Sequence, residues 1–334
     1  MKPLLGTPLL ALSVVVLAVG VRVLLRWQVR AWLRIAAGLV LIVPGLAGST
    51  AGGYWFWFTH RSQPEPVREE WFAGVRYERL VFQQPRPVVA HLVRIDLREP
   101  GLDVVVTAPE PSASGDVFAD KTSGFAARHG LQLAINANFF YPFYNNHPLD
   151  YAPHVGDPVR VVGLAASEGH VYGDPRESMI TLYLSRDRRI GFERPSGEVW
   201  HAISGLGYVL RDGAPVTFRD NGINEVPYAR MLAGADAAGR ELLLLAVDGK
   251  QPAYSEGFTL AEAAELLLKQ GAHTVIQLDG GGSATLVRRD AQGHIRVVNT
   301  PTNFRIAGWE RVVATHLGIS ARPLPGVGPQ KDRR

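Results

Sequence analysis

The sequence predicts an α+β fold: one globular domain on a mixed sheet, residues 71–320, preceded by a two-helix transmembrane hairpin over residues 1–59. Three observations carry this. Apolar, strand-like runs outnumber helical patterns after residue 90, and runs of strands with few helices indicate α+β architecture. The segment 259–271 has a complete set of helix start and stop signals. Residues 3–21 and 35–59 carry no charge, and each is long enough to cross a hydrocarbon core of about 30 Å, which takes roughly 20 residues.

Arg22, Arg26, Arg30 and Arg34 lie between the two apolar stretches. A short arginine-rich loop is retained in the cytoplasm, so both ends of the hairpin point to the opposite side. Tyr54, Trp55 and Trp57 then fall at the far interface, where aromatic side chains concentrate. Two competing readings are a cleaved signal peptide over residues 1–21, for which no clean small-residue cleavage site precedes the arginines, and a single amphipathic surface helix. The chain has a net charge of +4, but Lys2 and these arginines account for it. Beyond residue 60 there remain 30 Lys and Arg against 31 Asp and Glu. A near-neutral globular part gives no reason to expect nucleic acid. There is no cysteine, which excludes disulfides, thiolate nucleophiles and cysteine metal sites.

The polar, proline-containing stretch 60–70 is expected to be a linker. "HLVRIDL" and "LDVVVTAP" have strand composition with the turn "REPG" between them. Residues 116–129 predict a helix capped by Asp116 and stopped by Gly130. "LQLAINANFF" starts as a strand, "VVGLAASEGHVYG" and "MITLYLSRDRRIGFE" look like strands or hairpins, and "ELLLLAVDGK" is a buried strand ending at Asp248. Thr259 and Glu262 form a capping box for the helix "LAEAAELLLKQ", which Gly271 ends. The strand "TVIQLD" follows, then "ERVVATHLGIS", and a tail over 321–334 with the composition of disorder.

Two stretches carry chemistry. In "TVIQLDGGGSATLV" a core strand ends on Asp279, followed by Gly280, Gly281, Gly282 and Ser283. Glycine lets the backbone approach a ligand closely, and consecutive free N–H groups suit an anion. The plain alternative is a tight turn with Asp as a turn former. In "INANFFYPFYNNHPLDYAPHVGDP", Asn136, Asn138, His147, Asp150 and His154 are interleaved with Phe140, Tyr141 and other aromatics. Aromatic faces with amides and carboxylates between them suit a sugar. An ordinary polar surface loop is the alternative, and a His/Asp metal site lacks any standard ligand spacing.

"LAINANFF", "SGLGYVLRDGAP", "PYARML", "LLLLAVDGK", "FTLAEAAELLLKQGAHTVIQLDGGGSATLV" and "ERVVATHLGI" occur in this order. Together they resemble the phosphodiester glycosidase family over roughly residues 90–320. Asn136-Ala137-Asn138-Phe139-Phe140 and Tyr228-Ala229-Arg230-Met231 depart from the family's common Asn-Gly-Gly-Phe-Phe and Pro-Arg-Thr. The resemblance implies hydrolysis of a sugar-1-phosphodiester at its glycosidic bond; no cofactor and no metal ligand are expected. Such a site needs a cation for the phosphate, which Arg230 can supply. It needs a carboxylate at the reacting carbon, from Asp279 or Asp248. It also needs polar groups for the hydroxyls, from Asn136, Asn138 and the backbone of Gly280–Gly282. Phe140, Tyr141, His147, Asp150, His154 and Ser283 complete the expected substrate contacts. With the hairpin, this predicts a membrane-anchored enzyme on an extracytoplasmic glycan or glycolipid, facing the periplasm or cell exterior. The rivals are a non-catalytic envelope polysaccharide-binding module and a metal-dependent phosphodiesterase that cuts P–O.

Overall fold

The computed structural model describes residues 6–26, 31–110, 114–216 and 224–324. It divides into two units, residues 1–62 with 252–254 and residues 63–251 with 255–334.

The first unit holds two antiparallel helices, Gly6–Arg26 and Ala31–His60. Small residues let them approach. A Cβ on Gly45 would sit 3.0 Å from the Leu17 backbone, and one on Gly48 would sit 2.7 Å from Ser13 Cβ. Ser49 Oγ donates to Ser13 Oγ at 3.2 Å. Close approach through small side chains is how helices associate where no hydrophobic force separates helix from solvent. Among the described residues one helix, Ile35–His60, is long and apolar enough to cross a membrane. The first helix, Gly6–Arg26, holds a shorter apolar stretch among the described residues, Ala11–Arg22. Of the expected pair of spans, one is of crossing length among the described residues. Residues 27–30, with Arg30, lie outside the described residues.

In the second unit two sheets face each other. The larger runs Val67–Phe72, Val75–Phe82, Val88–Asp96, Glu241–Val247, Arg230–Ala235, Thr274–Gln277, His201–Arg211, Gly163–Ser167, His170–Asp174. The smaller runs Ile295–Val297, Leu286–Arg289, Leu133–Asn136, His316–Ser320, Asp103–Val106. Their ladders are antiparallel, and among the described residues the one parallel contact is an isolated bridge from Val162 to Asp174. Leu242, Leu244 and Ala246 point into the core shared by both sheets, with Ile95, Ile135, Ile276 and Leu317. Leu243, Leu245 and Val247 point the other way, under the helix Leu260–Lys269 with its Leu260, Ala263 and Leu267. A strand covered on both faces has no polar face to alternate with, which accounts for the unbroken "LLLLAV". The helix Thr122–Arg128 covers the smaller sheet through Phe125 and Ala126 on Ala134 and Val287. The layers are helix, sheet, sheet, helix.

The capping box forms. Glu262 N donates to Thr259 Oγ1 at 3.2 Å, and Thr259 N donates to Glu262 Oε2 at 2.8 Å. Gly271 takes φ +83° beyond that helix. The helix expected over 116–129 occupies only Thr122–Arg128. Asp116 is no cap, since its Oδ2 accepts from Val161 N at 2.7 Å in a neighbouring strand pair. The stretch 60–70 is not all linker, because Val67–Phe72 joins the large sheet as its edge strand. Arg68, Glu69 and Glu70 are exposed along that edge, and the register shifts between Glu70 and Phe72. Of the tail, residues 325–334 lie outside the described residues.

His316 is buried in the smaller sheet at 1% exposure, its ring stacked on Phe125 at 4.7 Å and its Nδ1 3.1 Å from Thr107 Oγ1. Burial pushes its pKa down to about 3. The unfolded chain binds the proton near pH 6.5 and the folded chain resists it, so the contribution to stability is complete above about 6.5. It is lost as pH falls from there toward 3, by up to the order of 5 kcal/mol at roughly 1.4 kcal/mol per unit. The urea midpoint should therefore drop on acidification through this window, and His316→Gln should flatten that dependence. An equally steep profile in the variant would assign the acid sensitivity elsewhere.

Candidate active site

The chain leaves the large sheet after Gln277 and joins the smaller sheet at Leu286, so residues 278–285 cross between the sheets at one end of the sandwich. Side chains hold this crossing. Asn136 Nδ2 donates to Asp279 O at 2.6 Å, and Asn136 Oδ1 accepts from Thr285 N at 3.0 Å. Asp279 N donates to Ala137 O at 3.0 Å, and Gly281 N to Ala229 O at 2.8 Å. The glycines have a steric cause. Gly281 has φ +62°, and a Cβ there would lie 2.9 Å from Tyr228 Cε1. A Cβ on Gly282 would lie 2.5 Å from Arg311 Nη2. Tyr228 and Arg311 thus lie directly against the loop, and Lys250 Nζ stands 4.2 Å from the centre of the Tyr228 ring on its exposed side.

Asp279 keeps a solvent-exposed portion, yet protein surrounds it closely. Desolvation pushes its carboxyl up to about 6, against opposing effects from the Ser283 hydroxyl and the Arg311 charge. Ser283 Oγ in turn accepts from Arg311 Nη1 at 3.1 Å, and Arg311 Nη2 donates to Asn303 Oδ1 at 2.9 Å. That bond fixes the orientation of the Asn303 amide, since a guanidinium has no acceptor. The guanidinium lies 4.7 Å from the Phe143 ring centre. Burial lowers the Arg311 pKa, while Asp279 and Tyr228 act to raise it. Arg311 Nε and Asn303 Nδ2 are buried donors with no partner among the described residues.

The other expected residues separate into groups. Asp248 closes its strand at the same end of the sandwich but is turned inward, 1% exposed. Its Oδ1 accepts from Thr300 N at 2.7 Å and Asn299 Nδ2 at 3.2 Å. Its Oδ2 is 3.3 Å from His91 Nε2, and His91 Nδ1 is 2.8 Å from the Tyr77 hydroxyl. Asn299 continues to Ala284 O at 2.9 Å and accepts from Leu286 N at 2.8 Å, so Asp248 supports the crossing loop through it. Arg230 has no exposed surface. Its Nε donates to Phe258 O at 3.2 Å and its Nη2 to Val226 O at 3.0 Å, and burial pushes its pKa down to about 10. Asn138 is also internal, with Nδ2 3.2 Å from Val162 O and 3.3 Å from Leu164 O.

The aromatic stretch divides too. Phe140 is buried edge-on to Phe143. Tyr141 lines a cleft of about 460 Å³ with Asp116, Arg160 and Asp174. Asp150 Oδ2 accepts from Asn146 Nδ2 at 2.9 Å in the hairpin that also carries the exposed His147. His154 packs on Tyr151 at 4.5 Å, and Tyr151 meets Phe304 at 5.8 Å and Trp309 at 6.5 Å. Among the described residues no group of three or more His, Asp or Glu is placed to hold a metal. Sequence reasoning missed Arg311, Asn303, Phe304, Trp309, Asn299 and His91. The available signal was "TNFRIAGWER", an aromatic and cationic loop just before the last strand.

Residues 129–320 match the phosphodiester glycosidase family. The chain is 34% identical over 244 residues to human N-acetylglucosamine-1-phosphodiester α-N-acetylglucosaminidase, covering 68% of this chain and 45% of that one. Against the bovine protein of the same name it is 36% identical over 140 residues, 38% of this chain and 26% of that one. It therefore spans less than half the length of either relative. Its fold is similar to the zebrafish protein of that name, a catalytic domain auto-inhibited by its pro-peptide. There the TM-score is 0.54 and the identity 21%, over 79% of this chain and 86% of that one. With the matched region taking up more than half of its length, the chain belongs to the phosphodiester glycosidase family.

Proposed function

We propose that the chain hydrolyses the glycosidic bond of a sugar-1-phosphodiester carried by an extracytoplasmic glycan or glycolipid, releasing free sugar and a phosphate monoester. The observation that carries this is the Ser283–Arg311 hydrogen bond beside the largely enclosed Asp279, flanked by two buried, unpartnered donors, Arg311 Nε and Asn303 Nδ2. Buried polar groups in native proteins nearly always have partners, so two orphaned donors beside a cation suit an anionic ligand. A phosphodiester supplies that anion. The ionised carboxylate of Asp279 faces the anomeric carbon, where positive charge develops as the C–O bond breaks. The bond electrons leave with the phosphate oxygen, whose charge Arg311 neutralises, and the oxygen of water ends on the sugar.

This moves the phosphate-binding role expected of Arg230 to Arg311. Arg230 instead ties the carbonyls of Val226 and Phe258 together, behind the turn that presents Tyr228. Asp248 and Asn136 act as supports of the crossing loop. The membrane anchor rests on the helix of crossing length, and the second span on the uncharged stretch before the arginines.

Asp279→Asn should lower kcat by about 10²–10⁴-fold in a folded protein, the range for losing a positioned carboxylate. The wild-type rate should rise with pH through about 6 as the carboxylate ionises. Heavy-oxygen water should label the sugar, and label on the phosphate would instead indicate P–O cleavage. Arg311→Lys keeps the charge but loses the fork to Ser283 and Asn303, so KM for a diester should rise roughly tenfold, about 1.4 kcal/mol, with a smaller effect on a neutral aryl glycoside. Protease added to intact spheroplasts should remove the globular domain, and complete protection would contradict the extracytoplasmic assignment.

A further inference from the structure

The hairpin formed by Tyr144–His147 and Asp150–Ala152 leaves its apolar side chains in water. Leu149, in its turn, is 94% exposed. Phe143 and Tyr144 at its base and Val155 just beyond it are exposed as well. A single exposed leucine is ordinary on a soluble domain. Four large apolar side chains gathered on one element mark a place of interaction. The base of the hairpin is held: Tyr144 pairs with Ala152 and Tyr151 with Asn145, and Phe143 meets the buried Phe140 edge-on at 5.8 Å. In the turn, Leu149 N donates to His147 Nδ1 at 3.3 Å and the leucine side chain stands in solvent. Charge is nearly absent. Asp150 is the one Asp, Glu, Lys or Arg between Phe139 and Gly156, and its Oδ2 accepts from Asn146 Nδ2 at 2.9 Å.

Leucine in front, aromatic rings behind it and uncharged polar groups between them compose a segment suited to the headgroup layer of a bilayer. Two further observations favour lipid over protein. A stable protein partner covers roughly 20–30 residues on each side, and these few side chains fall short of that. The domain is also tied to a helix of crossing length, with residues 61–66 alone between that helix and the first strand. A tether makes a second contact intramolecular, so a weak one suffices. We infer that the hairpin docks on the bilayer surface, with Leu149 in the interfacial layer and Tyr144 and Phe143 at its margin. The inference rests on the membrane anchor of the reading above and adds a second, reversible attachment through the globular domain. The Phe143 ring centre is 4.7 Å from the Arg311 guanidinium, so a docked hairpin holds the candidate site at the level of the headgroups.

Fluorescence quenching tests this on full-length protein reconstituted in vesicles of phosphatidylcholine and phosphatidylglycerol. The chain has no cysteine, so Leu149→Cys can carry a single environment-sensitive fluorophore. Leu268→Cys, at an exposed position of the helix Leu260–Lys269, is the control. The label at position 149 should lose most of its emission to a nitroxide on the lipid and little to aqueous iodide, and the label at 268 the reverse. A label on Val155→Cys should also be quenched from the lipid. Adding Leu149→Asp should remove most of that quenching with Tm unchanged, because the replaced side chain is exposed. Iodide quenching at 149 equal to that at 268 would overturn docking. Protection of 149 from both quenchers would overturn it in favour of a lid or a protein contact. Lipid quenching at both 149 and 268, or quenching at 155 that survives Leu149→Asp, would overturn the hairpin as the docking element. If alkaline carbonate strips the protein from the vesicles, anchor and docking fail together. If the protein resists carbonate while the label at 149 stays aqueous, docking fails and the anchor stands.

Discussion

A chain that leaves one sheet and enters another has to cross a buried region where no ladder satisfies its backbone, and here two asparagines take the place of the ladder. Asn136 holds Asp279 O and Thr285 N, and Asn299 holds Ala284 O and Leu286 N. Each amide offers a donor and an acceptor at fixed separation, so each spans two backbone groups that would otherwise be buried unpaired, at a cost of about 1–3 kcal/mol apiece. These four bonds, with those from Asp279 N to Ala137 O and from Gly281 N to Ala229 O, fix the backbone that carries the Asp279 carboxylate. Asp248 and His91 stand behind Asn299, which explains why a carboxylate with the sequence context of a catalytic group is spent entirely within the protein.

The electrostatics of the site depend on that rigidity. Asp279 and Arg311 are both partly desolvated, which disfavours their charged forms, and each partly offsets the cost for the other. Such a pair adds little to stability on balance, because desolvation consumes most of the attraction. Arg311 Nη1 is instead held by the Ser283 hydroxyl. The aromatic contact with Phe143 restrains the guanidinium from one side and the amide of Asn303 from another. In the proposed reaction a rigid constellation of this kind would keep its geometry as charge develops, so little reorganisation would be needed at that moment.

Much of this was legible in the sequence, and the reason differs from feature to feature. The capping box was readable because it is a contact between residues three apart. The Gly-rich segment after Asp279 was readable as a place of close approach, since glycines in series have few other uses. What it approaches was not readable, because Tyr228 and Arg311 arrive from distant parts of the chain. The surroundings of Arg230 and Arg311 were unreadable for the same reason: an isolated arginine gives no sign of whether its fork meets main-chain carbonyls, as at Arg230, or a serine hydroxyl and an amide, as at Arg311. The helix expected over 116–129 shrank to Thr122–Arg128 because Asp116, locally a good cap, is drawn to the Val161 amide of another strand. The turn at Phe304–Arg305 ran against every local preference, so propensity had nothing to offer there.

The outer strand of the large sheet, Val67–Phe72, has a bearing on how the molecule behaves in company. An open edge is a template for pairing with another chain, and domains held at high local density meet one another's edges often. This edge offers a poor template. Arg68, Glu69 and Glu70 stand exposed along it, and the shifted register at Trp71 bends the line of free amides and carbonyls away from straight. A second copy aligning there would have to accommodate the kink and leave those charges confronting its own. This side of the molecule is therefore poorly suited to strand-to-strand addition.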